Sequence, residues 1–115
     1  MNKLRYKLVV IKVGSSLLSI PSSKSLDQAR IKNLVDEIIS LINKNVKVVL
    51  VSSGAIAAGM GILKIEKRPT ELKKLQACAS VGQIHLMDIY NKFFLSHGKL
   101  TAQVLLTKDD FTNRS

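Results

Sequence analysis

Leu8-Val9-Val10-Ile11-Lys12-Val13-Gly14-Ser15-Ser16 and, further along, Val48-Val49-Leu50-Val51-Ser52-Ser53-Gly54-Ala55-Ile56-Ala57-Ala58-Gly59 decide how this chain is read. In each, an apolar run of strand length gives way to Gly and Ser, then to residues that a helix tolerates. Such runs read as strands buried on both faces, and open α/β sheets bind their ligands at the carboxyl ends of such strands. The first junction carries a lysine; the second carries a pair of hydroxyls and bare backbone. Together they have the composition of half a phosphoryl-transfer site.

Working outward, Tyr6 to Val13 is the first predicted strand, and Ser15 to Lys24 a loop with a short helical turn. A helix is expected from about Asp27 to Asn43. Its apolar residues Ile31, Leu34, Val35, Ile38, Ile39, Leu41 and Ile42 follow the stripe of a helix packed on a sheet. Asp27 or Ser25 supplies its N-terminal cap, and Asn43-Lys44-Asn45 ends it with residues that accept left-handed geometry. Val46 to Ser52 is the second strand, and the crossover between the two is long enough for parallel pairing. A small-faced helix is expected from Ser53 to about Gly61, followed by a loop over Ile62 to Pro69. Thr70 is expected to cap a long helical stretch to about Ser96, with Ser80 to Gly82 a candidate break and His97-Gly98-Lys99 closing it. Leu100 to Leu106 reads as a third strand, and Thr107-Lys108-Asp109-Asp110 as the cap and first turn of another helix. Alternating strands and helices predict an α/β fold with a mainly parallel sheet and helices on both faces.

Composition sets the limits. At 115 residues the chain is at most one domain, with 46% hydrophobic and 4% aromatic residues, so its core is aliphatic. No segment approaches the roughly 18 to 20 apolar residues that span a bilayer. Lys3, Arg5 and Lys7 precede an apolar run, but Lys12 interrupts that run and no cleavage-like site follows, which argues against a signal peptide. The single cysteine, Cys78, forms no internal disulfide and reads as a packed small residue in a reducing cytoplasm. The formal net charge of +10 raises the alternative of a basic, non-enzymatic module that binds nucleic acid. Against it, the basic residues are spread from Lys3 to Arg114, and their mild cluster between Lys64 and Lys74 has no interleaved aromatics. We therefore expect no nucleic-acid and no membrane partner.

The chemistry lies at the junctions. Lys12 sits near the carboxyl end of an apolar strand, so its ammonium must reach water, a carboxylate or a bound anion. One reading has Lys12 bridging phosphate oxygens and offsetting charge on a transferred group, while Gly14 and the amides of Gly14, Ser15 and Ser16 line a phosphate site. The other has an edge lysine snorkelling into solvent. At the second junction Ser53 can exchange a hydrogen bond with a substrate, and the helix amides behind Gly54 suit a carboxylate or phosphate. The plain alternative is a Ser N-cap with Gly54 kept for tight packing. Gly54 and Gly59 have phosphate-loop spacing, but Met60-Gly61 stand where Lys-Ser or Lys-Thr is required. Gly59-Met60-Gly61 begins a dinucleotide fingerprint, but Lys64 replaces its third glycine. His85 and His97 lack acidic or cysteine companions at ligand spacing, so no protein-borne metal site is expected.

The two junctions, in this order, resemble the amino acid kinase family. So do Gln76-Ala77-Cys78-Ala79-Ser80-Val81-Gly82-Gln83 and the segment from Gln103-Val104-Leu105-Leu106-Thr107 to Phe111. The resemblance covers essentially the whole chain. Ser53-Gly54-Ala55-Ile56-Ala57-Ala58-Gly59 separates the glutamate-phosphorylating branch from the acetylglutamate, uridylate and aspartate kinase relatives. The resemblance implies a three-layer α/β/α sandwich, incomplete in this chain, with residues 1–115 the N-terminal portion of the kinase domain. It also implies ATP-dependent phosphorylation of the γ-carboxylate of L-glutamate in the cytoplasm, with Mg²⁺, by a homo-oligomer. By position, Lys12 would be catalytic. Lys12, Gly14 and Ser15 would hold ATP phosphates, and Ser53 and Gly54 would bind glutamate. Another small-molecule kinase of the same family is the nearest alternative. The family's acidic catalytic and glutamate-binding groups, its second lysine and its adenine site have no counterpart in residues 1–115. The chain therefore looks truncated, and alone it is expected to be inactive.

Overall fold

The computed structural model describes residues 7–14, 18–20 and 26–103. Strands β1 (Leu8–Val13) and β2 (Lys47–Ser52) pair in parallel, from Leu8 opposite Lys47 to Val13 opposite Ser52. Helix α1 (Gln28–Ile42) makes the crossover between them. The Asp27 side chain caps α1 by accepting from the Arg30 amide at 3.2 Å, and Asn45 ends the turn after it at φ 65°. Helix α2 (Ala55–Leu63) leaves the end of β2, and helix α3 (Leu72–Leu95) packs back across it.

The core lies between the sheet and these helices. Ile31, Val35 and Ile38 of α1 are buried with Val13 of β1, Ala58 of α2 and Leu86, Ile89, Tyr90 and Phe94 of α3. Each fully buried aliphatic side chain here contributes about 1.5–3 kcal/mol. Ile11, Val48 and Leu50 point into this cluster from the strands.

Among the described residues the opposite face of the sheet carries no helix. Leu8, Val10, Val49 and Val51 are 56%, 57%, 49% and 47% exposed, and Lys12 lies among them. The expected cover on both faces is thus met on one face among the described residues. An apolar run announces burial without saying which part of a protein supplies the cover.

Other boundaries differ in informative ways. Ile62 and Leu63 continue α2 rather than starting a loop, and Lys64 ends the helix at φ 58°. Thr70 does not cap α3: Glu71 holds that position without a side-chain cap, its carbonyl accepting from Leu75. No break occurs at Ser80 to Gly82, because Gly82 serves a helix contact rather than a turn. Residues 100–103 form no strand. Their side chains bond α3 instead, Thr101 Oγ1 donating to Asn91 Oδ1 at 3.1 Å and Gln83 Nε2 to Gln103 Oε1 at 2.8 Å. The rest of that expected strand, and the helix start after it, lie outside the described residues.

Candidate functional site

Both junctions reach the same edge of the sheet, because parallel pairing aligns the carboxyl ends of β1 and β2. They are stitched together there. The Val13 carbonyl accepts from the Ser53 amide and from Ser53 Oγ, each at 3.0 Å. The Ser53 hydroxyl proton is therefore committed, and its oxygen retains lone pairs for a donor. The expectation that Ser53 donates or accepts freely narrows to acceptance in this arrangement.

Gly54 follows at φ 105°, ψ −2°, a conformation that side chains other than glycine rarely adopt, and opens α2 as its N-cap residue. No side chain caps this helix, and the Gly54 amide has no acceptor among the described residues. The first amides of α2 accordingly remain donors for an outside acceptor, at the positive end of the helix dipole.

The small residues of α2 let α3 approach backbone to backbone. A Cβ at Gly59 would run into the Cys78 carbonyl, and one at Gly82 into the Ala55 carbonyl. Cys78 is fully buried at this crossing, as expected of a packed small residue.

The same crossing carries a pair that sequence reasoning missed. The Tyr90 hydroxyl of α3 lies 2.9 Å from Ser52 Oγ, at the last residue of β2, and Ser52 Oγ donates to the Ser53 carbonyl at 3.1 Å. Burial pushes the Tyr90 phenol above its ordinary pKa, and the Ser52 hydrogen bond opposes this more weakly. A signal existed: Tyr90 falls on the buried stripe of Leu86, Ile89 and Phe94, and a buried tyrosine hydroxyl needs a partner.

At the first junction, Lys12 is exposed and makes no ion pair among the described residues. Gly14 is exposed, and a Cβ there would meet nothing within 4 Å among the described residues. Ser15 and Ser16 lie outside the described residues. Among the described residues no group of His, Cys, Asp and Glu is placed to hold a metal ion. His85 is half-buried on α3, while His97, past the C-terminus of α3, bonds Asp36 of α1 at 3.0 Å. No described helix is long and apolar enough to cross a membrane.

The sequence pattern of the amino acid kinase family matches residues 7–115. The chain belongs to the amino acid kinase family. Within it, the chain is 47% identical over 106 residues to the glutamate 5-kinase of Thermoanaerobacter sp. (strain X514), covering 92% of this chain. It is 50% identical over 106 residues to the glutamate 5-kinase of Marinomonas sp. (strain MWYL1) and 44% identical over 106 to that of Clostridium acetobutylicum. This amino acid kinase segment spans 28% of the length of the first two relatives and 39% of the third.

Proposed function

We propose that residues 1–115 are the N-terminal portion of a glutamate 5-kinase domain, acting in the cytoplasm. The complete enzyme transfers the γ-phosphoryl group of ATP to the γ-carboxylate of L-glutamate, an early step toward proline. A carboxylate oxygen attacks the γ-phosphorus, the bond to the β-γ bridging oxygen breaks, and γ-glutamyl phosphate and ADP leave. The carboxylate is itself the nucleophile, so catalysis rests on positioning and charge neutralisation rather than on a side-chain base.

The observation that carries this reading is the turn at Ser53–Gly54. Among the described residues it offers an uncapped helix start and a Gly54 amide without an acceptor, beside a hydroxyl whose proton is already committed. Amide donors suit a carboxylate of glutamate, and the Ser53 lone pairs suit its ammonium. On the neighbouring strand, Lys12 is a free cation among the described residues, and the open space at Gly14 admits a phosphate close to the backbone. In this reading Lys12, Gly14 and Ser15 hold the ATP phosphates, with Lys12 also offsetting charge as the transfer proceeds. Mg²⁺ has no ligand set among the described residues.

The test is an assay of the complete enzyme with ATP, Mg²⁺ and glutamate, trapping γ-glutamyl phosphate as its hydroxamate. Glutamate-dependent hydroxamate is expected. Turnover of acetylglutamate in place of glutamate would transfer the reading to another branch of the family. Residues 1–115 alone are expected to give no hydroxamate, and its formation by the purified segment would overturn the view that the site is shared with the rest of the enzyme.

A further inference from the structure

We propose that Tyr90 is a positioning residue for the Ser53–Gly54 turn: through Ser52 it fixes the Ser53–Gly54 peptide plane and so aims the Gly54 amide. As a statement about substrate, this rests on the glutamate kinase reading above.

The proton count gives the pair a direction. Ser52 has one hydroxyl proton and donates it to the Ser53 carbonyl at 3.1 Å. Its contact with Tyr90 at 2.9 Å must then run the other way, with the phenol donating to Ser52 Oγ. Tyr90 is suited to that role, because burial favours its neutral, protonated form. The result is an ordered chain from the Tyr90 hydroxyl through the Ser52 hydroxyl to the Ser53 carbonyl.

That carbonyl belongs to the same planar unit as the Gly54 N–H, which points the opposite way across a trans peptide. Holding the oxygen therefore holds the donor. Gly54 has no side chain to resist rotation about its own dihedrals, and its amide has no acceptor among the described residues. The turn is gripped on two sides, by the Val13 carbonyl of β1 on Ser53 and by Tyr90 of α3 through Ser52. A donor aimed in advance at a carboxylate loses less on binding than one that must first be ordered.

The experiment compares Tyr90→Phe, Ser52→Ala, Ser52→Thr and the double variant Tyr90→Phe/Ser52→Ala in the complete enzyme. Phe keeps the packed ring and removes the donor alone. We expect the KM for glutamate to rise about three- to tenfold in Tyr90→Phe and in Ser52→Ala, the size of one lost hydrogen bond. The KM for ATP should stay put, Ser52→Thr should restore the glutamate KM, and the double variant should be no worse than Ser52→Ala. An unchanged glutamate KM in Tyr90→Phe, equal rises for both substrates, or additive effects in the double variant would each overturn the proposal. A second measurement does not depend on activity. In amide NMR spectra of the chain, the Gly54 resonance should shift in Tyr90→Phe and Ser52→Ala while that of Gly98 stays fixed. A stationary Gly54 resonance overturns the positioning role, whereas a shifted one in an enzyme that ignores glutamate faults the kinase reading instead.

Discussion

Val13 and Ser52 are register partners at one edge of one sheet, and the chain finishes their strands in opposite ways. After Ser52, the Ser53 hydroxyl proton is committed, Gly54 takes a conformation reserved for glycine, and the helix behind it is pressed backbone to backbone onto α3. After Val13, among the described residues, Gly14 has open space around it and the preceding Lys12 has no ion pair. One junction carries its geometry within this segment; the other presents a charge and a gap for something else to complete. On the proposed reading, substrate recognition through backbone donors calls for the first kind, because an amide reads a carboxylate only when it is aimed. Phosphate neutralisation tolerates the second, because a long flexible ammonium finds its anion.

The largest effect should come from the unfinished junction. Lys12→Ala in the complete enzyme is expected to lower kcat about 10²- to 10³-fold, the usual cost of one group stabilising transition-state charge. Its melting temperature should be unchanged, since Lys12 makes no ion pair among the described residues that folding could lose. A fully active Lys12→Ala enzyme would reduce Lys12 to a lysine snorkelling along the sheet.

At the finished junction the largest effect should be on stability. Gly82→Ala places a methyl group against the Ala55 carbonyl, a backbone atom that cannot swing aside. We expect a loss of about 3 kcal/mol, at the upper end for overpacking, read from urea denaturation. A loss well under about 1 kcal/mol would mean that the two helices separate easily, and the contrast between the junctions would weaken.

The same two positions show what the sequence could and could not convey. The stripe Ile31, Val35, Ile38 and the parallel pairing of β1 with β2 were legible, because period and crossover length are local properties of the chain. Gly82 stands in the sequence only as a candidate helix break, because propensity counts its entropic cost, whereas the contact with Ala55 that requires it comes from a different helix. The Tyr90–Ser52 bond joins residues 38 apart, and no spacing rule reaches that far. Lys12 and Gly14 could be picked out by type, but their openness depends on which face of the sheet is covered. Leu8 and Val10 beside them are as apolar as residues that are buried.

Glycine substitution compares the junctions directly. Gly54→Ala should cost about 1–3 kcal/mol in stability, since it forces a side chain into a strained positive-φ backbone. Gly14→Ala should stay within about 0.5 kcal/mol, because its new methyl meets nothing among the described residues. In the complete enzyme Gly14→Ala should nevertheless raise the KM for ATP. Equal stability losses at the two sites would erase the distinction between them.

The smallest effect lies away from both junctions and serves as their control. Asp36 on α1 accepts from Lys32 at 3.1 Å and from His97, past the end of α3, at 3.0 Å. The Lys32 hydrogen bond chiefly, then that of His97, holds its carboxyl below the ordinary 3.8. A depressed carboxylate contributes stability above its unfolded-state pKa and loses it as pH falls through the lower folded value. Asp36→Asn should therefore melt slightly below the parent at neutral pH, with the gap persisting down to about pH 4 and closing in stronger acid. Glutamate and ATP KM values should not move, because the Asp36–His97 tie joins α1 to the far end of α3 rather than to the turn that Tyr90 holds. A gap that survives undiminished to pH 2 would show that the Asn variant acts through packing. A changed glutamate KM would show that the sheet edge responds to how α1 and α3 are clamped, and the second junction would then be less self-contained than its local bonds imply.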